Sequence, residues 1–237
     1  MAFGVLSVSG RSRVPAPAAK TTCEISAMST LSLTVEAAGC RARLVSSMMA
    51  GMGHPKPRAD VFVDPESDER PEPAPRGDER TLLLGFLRWQ RETLELKCSG
   101  LDAAALARRS VEPSTMSLLG LVRHMADVER GWFRRLMAGQ VAPPHFSSDA
   151  NPDGDFDDAV ADPAVVAEAW SLWRDEIAFA ERFVTEAPDL DVTGKIDDAW
   201  RGPMSLRWVL LHMVEEYARH NGHADLLRER IDGRIGQ

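Results

Sequence analysis

Apolar residues recur with a helical period in four long blocks between Asp78 and Gly233, and no convincing alternating strand run interrupts them. The first block carries Leu82, Leu83, Phe86, Leu87, Trp89, Gln90, Leu94 and Leu96 to a stop at Gly100. A short helical turn over Asp102–Arg108 leads to a capped start near Ser114 or Thr115, and the second helix runs to about Ala138, before Gly139. Asp162, with Pro163 at the first helical position, opens the third helix. Its Val166, Ala169, Trp170, Trp173, Ile177, Ala180 and Phe183 keep helical spacing to about Ala187. Ser205 caps the fourth, which continues to about Ile231 with Gly233 behind it. Four amphipathic helices predict an all-α fold, a four-helix bundle. The connections Gln140–Ala161, read as a flexible linker, and Pro188–Pro203 are long enough for a crossover topology.

The fourth helix breaks its own pattern. Its apolar stripe is Leu206, Val209, Leu210, Met213, Tyr217, Ala224 and Leu227, and Glu216 and His220 fall on the same stripe. A carboxylate and an imidazole four residues apart lie one above the other, so both can reach a single ion. On the second helix His124 sits three residues after Leu121 and four before Val128, again on the inward side. Two such helices packed antiparallel present a His124, Glu216, His220 triad. A rival set, Glu216, His220 and His223, comes from one helix and is held less rigidly. His212 is eight residues from His220, about 12 Å along the axis, too far to share its ion. The plain alternative is an i, i+4 surface pair worth a few tenths of a kcal/mol.

Composition narrows the function classes. The net charge of −8 and pI near 5.3, without a basic stripe, argue against nucleic-acid binding. Cys23, Cys40 and Cys98 are an odd number without CxxC spacing, so a disulfide framework is not expected and a reducing cytoplasm fits. No run approaches the roughly 18 apolar residues of a membrane span, and no signal-peptide core is present. Residues 1–76 read as a disordered leader, with Pro55, Pro57, Pro65, Pro71, Pro73 and Pro75 among charges, and residues 77–235 as the bundle. Met1–Gly53 is Arg-bearing and acid-poor like a transit peptide, although a translation start near Met48, Met49 or Met52 is the preferred reading. Glu129, Arg130, Arg134, Arg135, Arg228, Glu229 and Arg230 read as solvated faces, Cys98 as an inert thiol, and the tryptophans as core anchors. His54 and His145 are loop residues, and Trp200 is placed to line an opening.

Two stretches, Gly120-Leu-Val-Arg-His124-Met-Ala-Asp-Val-Glu129 and Glu215-Glu216-Tyr-Ala-Arg-His220-Asn-Gly-His223-Ala-Asp-Leu-Leu-Arg-Glu229, resemble the DinB-like superfamily. The similarity is strongest to its actinobacterial branch related to the N-terminal metal domain of mycothiol-dependent maleylpyruvate isomerase, and it covers about Arg70 to Gly233. The resemblance implies a four-helix bundle holding one divalent metal through His124, Glu216 and His220, with His223 a neighbour and not a ligand. Many members carry His where this chain has Glu216; the isomerase branch carries Glu. The isomerase's second domain has no counterpart here, so isomerisation of maleylpyruvate is not expected.

Two imidazoles and one carboxylate suit Zn first, then Ni or Fe. The leading expectation is a metal-dependent thiol transferase that directs a low-molecular-weight thiol at a small electrophile. Mycothiol as cosubstrate rests on the resemblance and on an arginine-heavy composition in which Lys20, Lys56, Lys97 and Lys195 are the only lysines. A metal-dependent hydrolase would need a general base such as Glu129 or Glu215. A non-catalytic, stress-related metal protein is the third reading. Expected partners are the small-molecule substrate and the thiol, not nucleic acid or membrane, with a homodimer allowed.

Overall fold

The computed structural model describes residues 62–236. The elements are α1 (Glu79–Cys98), α2 (Ala103–Leu106), α3 (Leu118–Glu129), a π-helical continuation of α3 (Arg130–Met137), α4 (Gly154–Asp157), α5 (Pro163–Glu186) and α6 (Leu206–Asp232). Asp162 and Ser205 cap as expected, accepting from the Ala164 and Trp208 backbone N–H groups, and Asp78 accepts from Thr81; α3 starts later than the Ser114 or Thr115 expected, with Ser117 as its cap accepting from Gly120. Gly233 ends α6 at φ +80°, a left-handed conformation that favours glycine.

Two helix pairs build the bundle. α1 packs along α6, α3 along α5, and the pairs meet where α3 faces α6. Leu94, Leu121, Met125, Phe133, Leu210, Met213 and Tyr217 are fully enclosed at their centre. Among the described residues there is no strand, only the isolated bridges Thr193–Ser205 and Asp198–Gly202.

Several charged positions read as solvated are core instead. Glu129 is fully buried, and both its oxygens accept from Arg91, at 2.8 Å from Nε and 2.8 Å from Nη2. Tyr217 donates to Glu129 at 2.8 Å, and Trp173 donates to Tyr217 at 2.9 Å, so one network ties α1, α3, α5 and α6 together. Burial first, and the Glu129 carboxylate next, hold the Tyr217 phenol well above its ordinary value of 10. Arg228 is also buried and caps α1 by donating to the carbonyls of Lys97 and Ser99 at 2.7 and 2.8 Å. Arg130 and Arg134 converge on the buried carboxylate of Glu176, which His145 also reaches at 3.0 Å. The sequence could not reveal these pairs, because each partner lies on another helix or loop. Arg135, Glu229 and Arg230 are exposed as expected.

The connections are more ordered than their composition suggests. Within Gln140–Ala161, Asp127 accepts from the backbone N–H groups of His145, Phe146 and Ser147, and α4 forms. The loop before α6 docks on the π segment: Lys195 and Ile196 donate backbone hydrogen bonds to the carbonyls of Met137 and Leu136, at 3.3 and 3.1 Å. Gly194 permits that approach, since a Cβ there would lie 2.8 Å from Leu136 Cδ2.

Residues 62–76, assigned to the leader, contain no helix but lie on the bundle. Phe62 is buried beneath the cations of Lys97 and Arg234, each 4.0 Å from its ring, and Arg70 covers Trp89 and donates to Thr93 at 2.6 Å. Readings of residues 1–61, including the translation start, Cys23, Cys40 and His54, lie outside the described residues.

Candidate metal centre

α3 and α6 bring His124, Glu216 and His220 together. One ligand atom from each lies within 4.8 Å of the other two. The rings of His124 and His220 are 4.7 Å apart. Neighbouring donors around a tetrahedral ion with ~2.1 Å bonds are about 3.4 Å apart, so the set needs only a small contraction to close on an ion. The donor chemistry, two imidazoles and a carboxylate, fits zinc or another first-row divalent cation.

Electrostatics favour the ligating form of His220. Burial first, and then the adjacent His124 and His223, lower its imidazole to about 4, so at neutral pH it is uncharged with a free lone pair. His223 does not join the convergent set; its Nδ1 lies 3.4 Å from His220 Nδ1, and its ring meets His220 edge-on at 5.2 Å. His212 is set apart, stacked on Trp208 at 4.9 Å and edge-on to Trp132 at 4.8 Å. His145 serves Glu176. Cys98 is buried, and burial pushes its thiol up to about 12, which removes it as a nucleophile.

His124 is also the triad member that borders a cleft of about 590 Å³. The cleft runs between α3 with its π segment (Asp127, Gly131, Trp132, Arg135), the linker (Pro144, Ser147, Asp155) and the loop Ile196–Ala199. A π-helical stretch widens the helix where it lines this space, as single π turns commonly do near functional sites. Trp200 is almost fully exposed beside the loop and does not line the cleft.

Sequence reasoning passed over Asp155. Its Oδ2 accepts from His124 Nδ1 at 2.8 Å, although the two residues are 31 apart and Asp155 falls in the linker read as flexible. No periodicity announces it; the only local hint is Gly154, where a Cβ would come within 2.4 Å of the Phe146 carbonyl oxygen.

An all-α bundle that points two imidazoles and a carboxylate from facing helices at one place, beside an open cleft, has the architecture of a DinB-like protein. The family model described as Mycothiol-S-transferase matches residues 82–233, well over half of the chain, and the chain belongs to that family. No curated protein matches the sequence. A solved structure described as the conserved protein of locus from Enterococcus faecalis is similar at 16% identity and a TM-score of 0.46, with 64% of this chain and 96% of that one covered. Among the described residues no helix is long and apolar enough to cross a membrane.

Proposed function

We propose that the chain is a divalent-metal-dependent thiol transferase in which His124, Glu216 and His220 hold one ion, zinc first, and mycothiol is the thiol. The convergence of three donors from two helices within 4.8 Å, in a chain of the mycothiol-S-transferase family, carries this reading. A divalent ion bound there supplies the positive charge that keeps a thiol deprotonated near neutral pH.

The chain's own residues account for the rest. His220 offers an uncharged imidazole without competition from a proton. Glu216 contributes the negative charge that offsets part of the cation's. The cleft beside His124 has room for a thiol and a small electrophile, with the Trp132 ring and the Arg135 guanidinium in its lining. Transfer forms a carbon–sulfur bond, and the leaving group departs with the electron pair of the bond it gives up.

Hydrolysis is less well supported, because the two carboxylates expected as its base, Glu129 and Glu215, are engaged elsewhere. Glu129 is locked to Arg91 in the core, and Glu215 is exposed beside Arg219 and His212. Elemental analysis of protein purified without a His tag tests the metal: one ion per chain is expected, falling sharply in His124→Ala, Glu216→Ala and His220→Ala but not in His212→Ala. Mycothiol added to the cobalt-loaded chain is expected to produce a sulfur-to-metal charge-transfer band. An unchanged cobalt spectrum with millimolar thiol, alongside turnover of an ester or amide, would replace the transferase with a hydrolase.

A further inference from the structure

We infer that Asp155, carried on the four-residue helix α4, is a positioning residue that fixes the tautomer and ring orientation of His124. The inference rests on the reading of His124 as a metal ligand. Neutral imidazole has one N–H and one lone pair, and the hydrogen bond made by one nitrogen decides which is which. Asp155 Oδ2 lies 2.8 Å from His124 Nδ1 and can only accept when ionised, so the proton belongs on Nδ1 and the lone pair on Nε2. A carboxylate on the far nitrogen also raises the basicity of the ligating one, the arrangement that commonly surrounds metal-bound histidine.

The surroundings show that this contact is built rather than incidental. Asp155 is only 6% exposed. The buried guanidinium of Arg123, one residue before His124, donates to the carbonyl of Asp155 at 2.8 Å and to that of Gly154 at 2.9 Å, so α3 itself grips the backbone of α4. Phe156 N–H donates to the other carboxylate oxygen, Oδ1, at 3.0 Å and holds the group in one rotamer. The Phe156 ring then stacks on His124 at 5.4 Å and 30°. It reaches that place over Gly120, one turn before His124, where a Cβ would lie 2.6 Å from Phe156 Cδ1. Asp155 and Phe156 thus fix the ring from one edge and one face, while Arg123 holds the backbone of Gly154 and Asp155.

The test measures zinc affinity by competition with a chromophoric chelator, and the His124 tautomer by long-range proton–nitrogen NMR on the metal-free protein. Wild type should bind zinc and show His124 protonated on Nδ1. Asp155→Ala should weaken zinc 10- to 100-fold, the usual cost of removing such a partner. Asp155→Asn, which can still accept at the same distance but carries no charge, should keep the tautomer and recover part of the affinity. A merely structural role would move neither the tautomer nor the order of the two variants. If wild type binds zinc while Asp155→Ala, with its helical signal intact, binds within twofold, or if metal-free His124 carries its proton on Nε2, the inference fails and the metal reading stands. If wild type binds no zinc, both fail.

Discussion

Two polar clusters sit side by side between α3 and α6. In one, Glu129 accepts from Arg91 twice and from Tyr217 once, and Tyr217 accepts from Trp173; every member is at most 6% exposed. In the other, one residue along α6 and about one turn back on α3, Glu216, His220 and His124 converge half-buried, and no ion pair to Glu216 forms among the described residues. Both place ionisable groups in a bundle interior. The first is closed by its own hydrogen bonds, so it holds helices together. The second brings three potential donor atoms within 4.8 Å of one another and gives Glu216 no cationic side chain among the described residues; under the proposed function a metal ion would supply that charge.

The largest expected effect breaks the closed cluster. Glu129→Ala leaves the buried Arg91 guanidinium with only its 3.7 Å contact to the exposed Glu181 carboxylate and should cost about 3–5 kcal/mol in chemical denaturation. Glu216→Ala in metal-free protein should stay within about 0.5 kcal/mol of wild type, because it strips no buried partner. Equal losses would erase the distinction between the clusters. Adding zinc at a hundredfold excess over its dissociation constant should then stabilise wild type by about 2.7 kcal/mol and leave His220→Ala unmoved, as read by the shift of the denaturation midpoint.

A smaller effect comes from Glu176, the closed cluster's counterpart on α5. Burial pushes its carboxyl up, but the bonds from His145, Arg134 and Arg130 together hold it below the ordinary 4.5. A depressed folded value means that its stabilisation is present above about pH 4.5 and is lost as pH falls through the folded value. Denaturation at pH 7 and pH 3.5 should therefore show a smaller acid-induced loss in Glu176→Gln than in wild type; an unchanged difference would mean that the carboxylate is not ionised there. The smallest effect concerns Cys98, whose thiol at about 12 should resist alkylation at pH 8 until the chain is unfolded. Rapid labelling at Cys98 itself, located by peptide mapping of the native protein, would place it outside the core.

The helices, the caps of α5 and α6 and the inward stripe of α6 were legible because each is a local matter: a side-chain acceptor at Ser205, a left-handed Gly233 and apolar spacing of three and four act within a few residues. For the same reason Glu216 and His220 could be paired from spacing alone, while adding His124 required only that two recognisable helices face each other. What the sequence left undecided depends on distant partners. Whether Glu129 met water or Arg91 was settled by 38 residues of intervening chain, and whether Asp155 lay in a loose linker or against His124 by 31. A hydrogen bond or ion pair across such a separation has no period in the sequence. It exists only once α1, α3, α5 and α6 have packed, because burial then makes an unpaired charge too costly to leave alone.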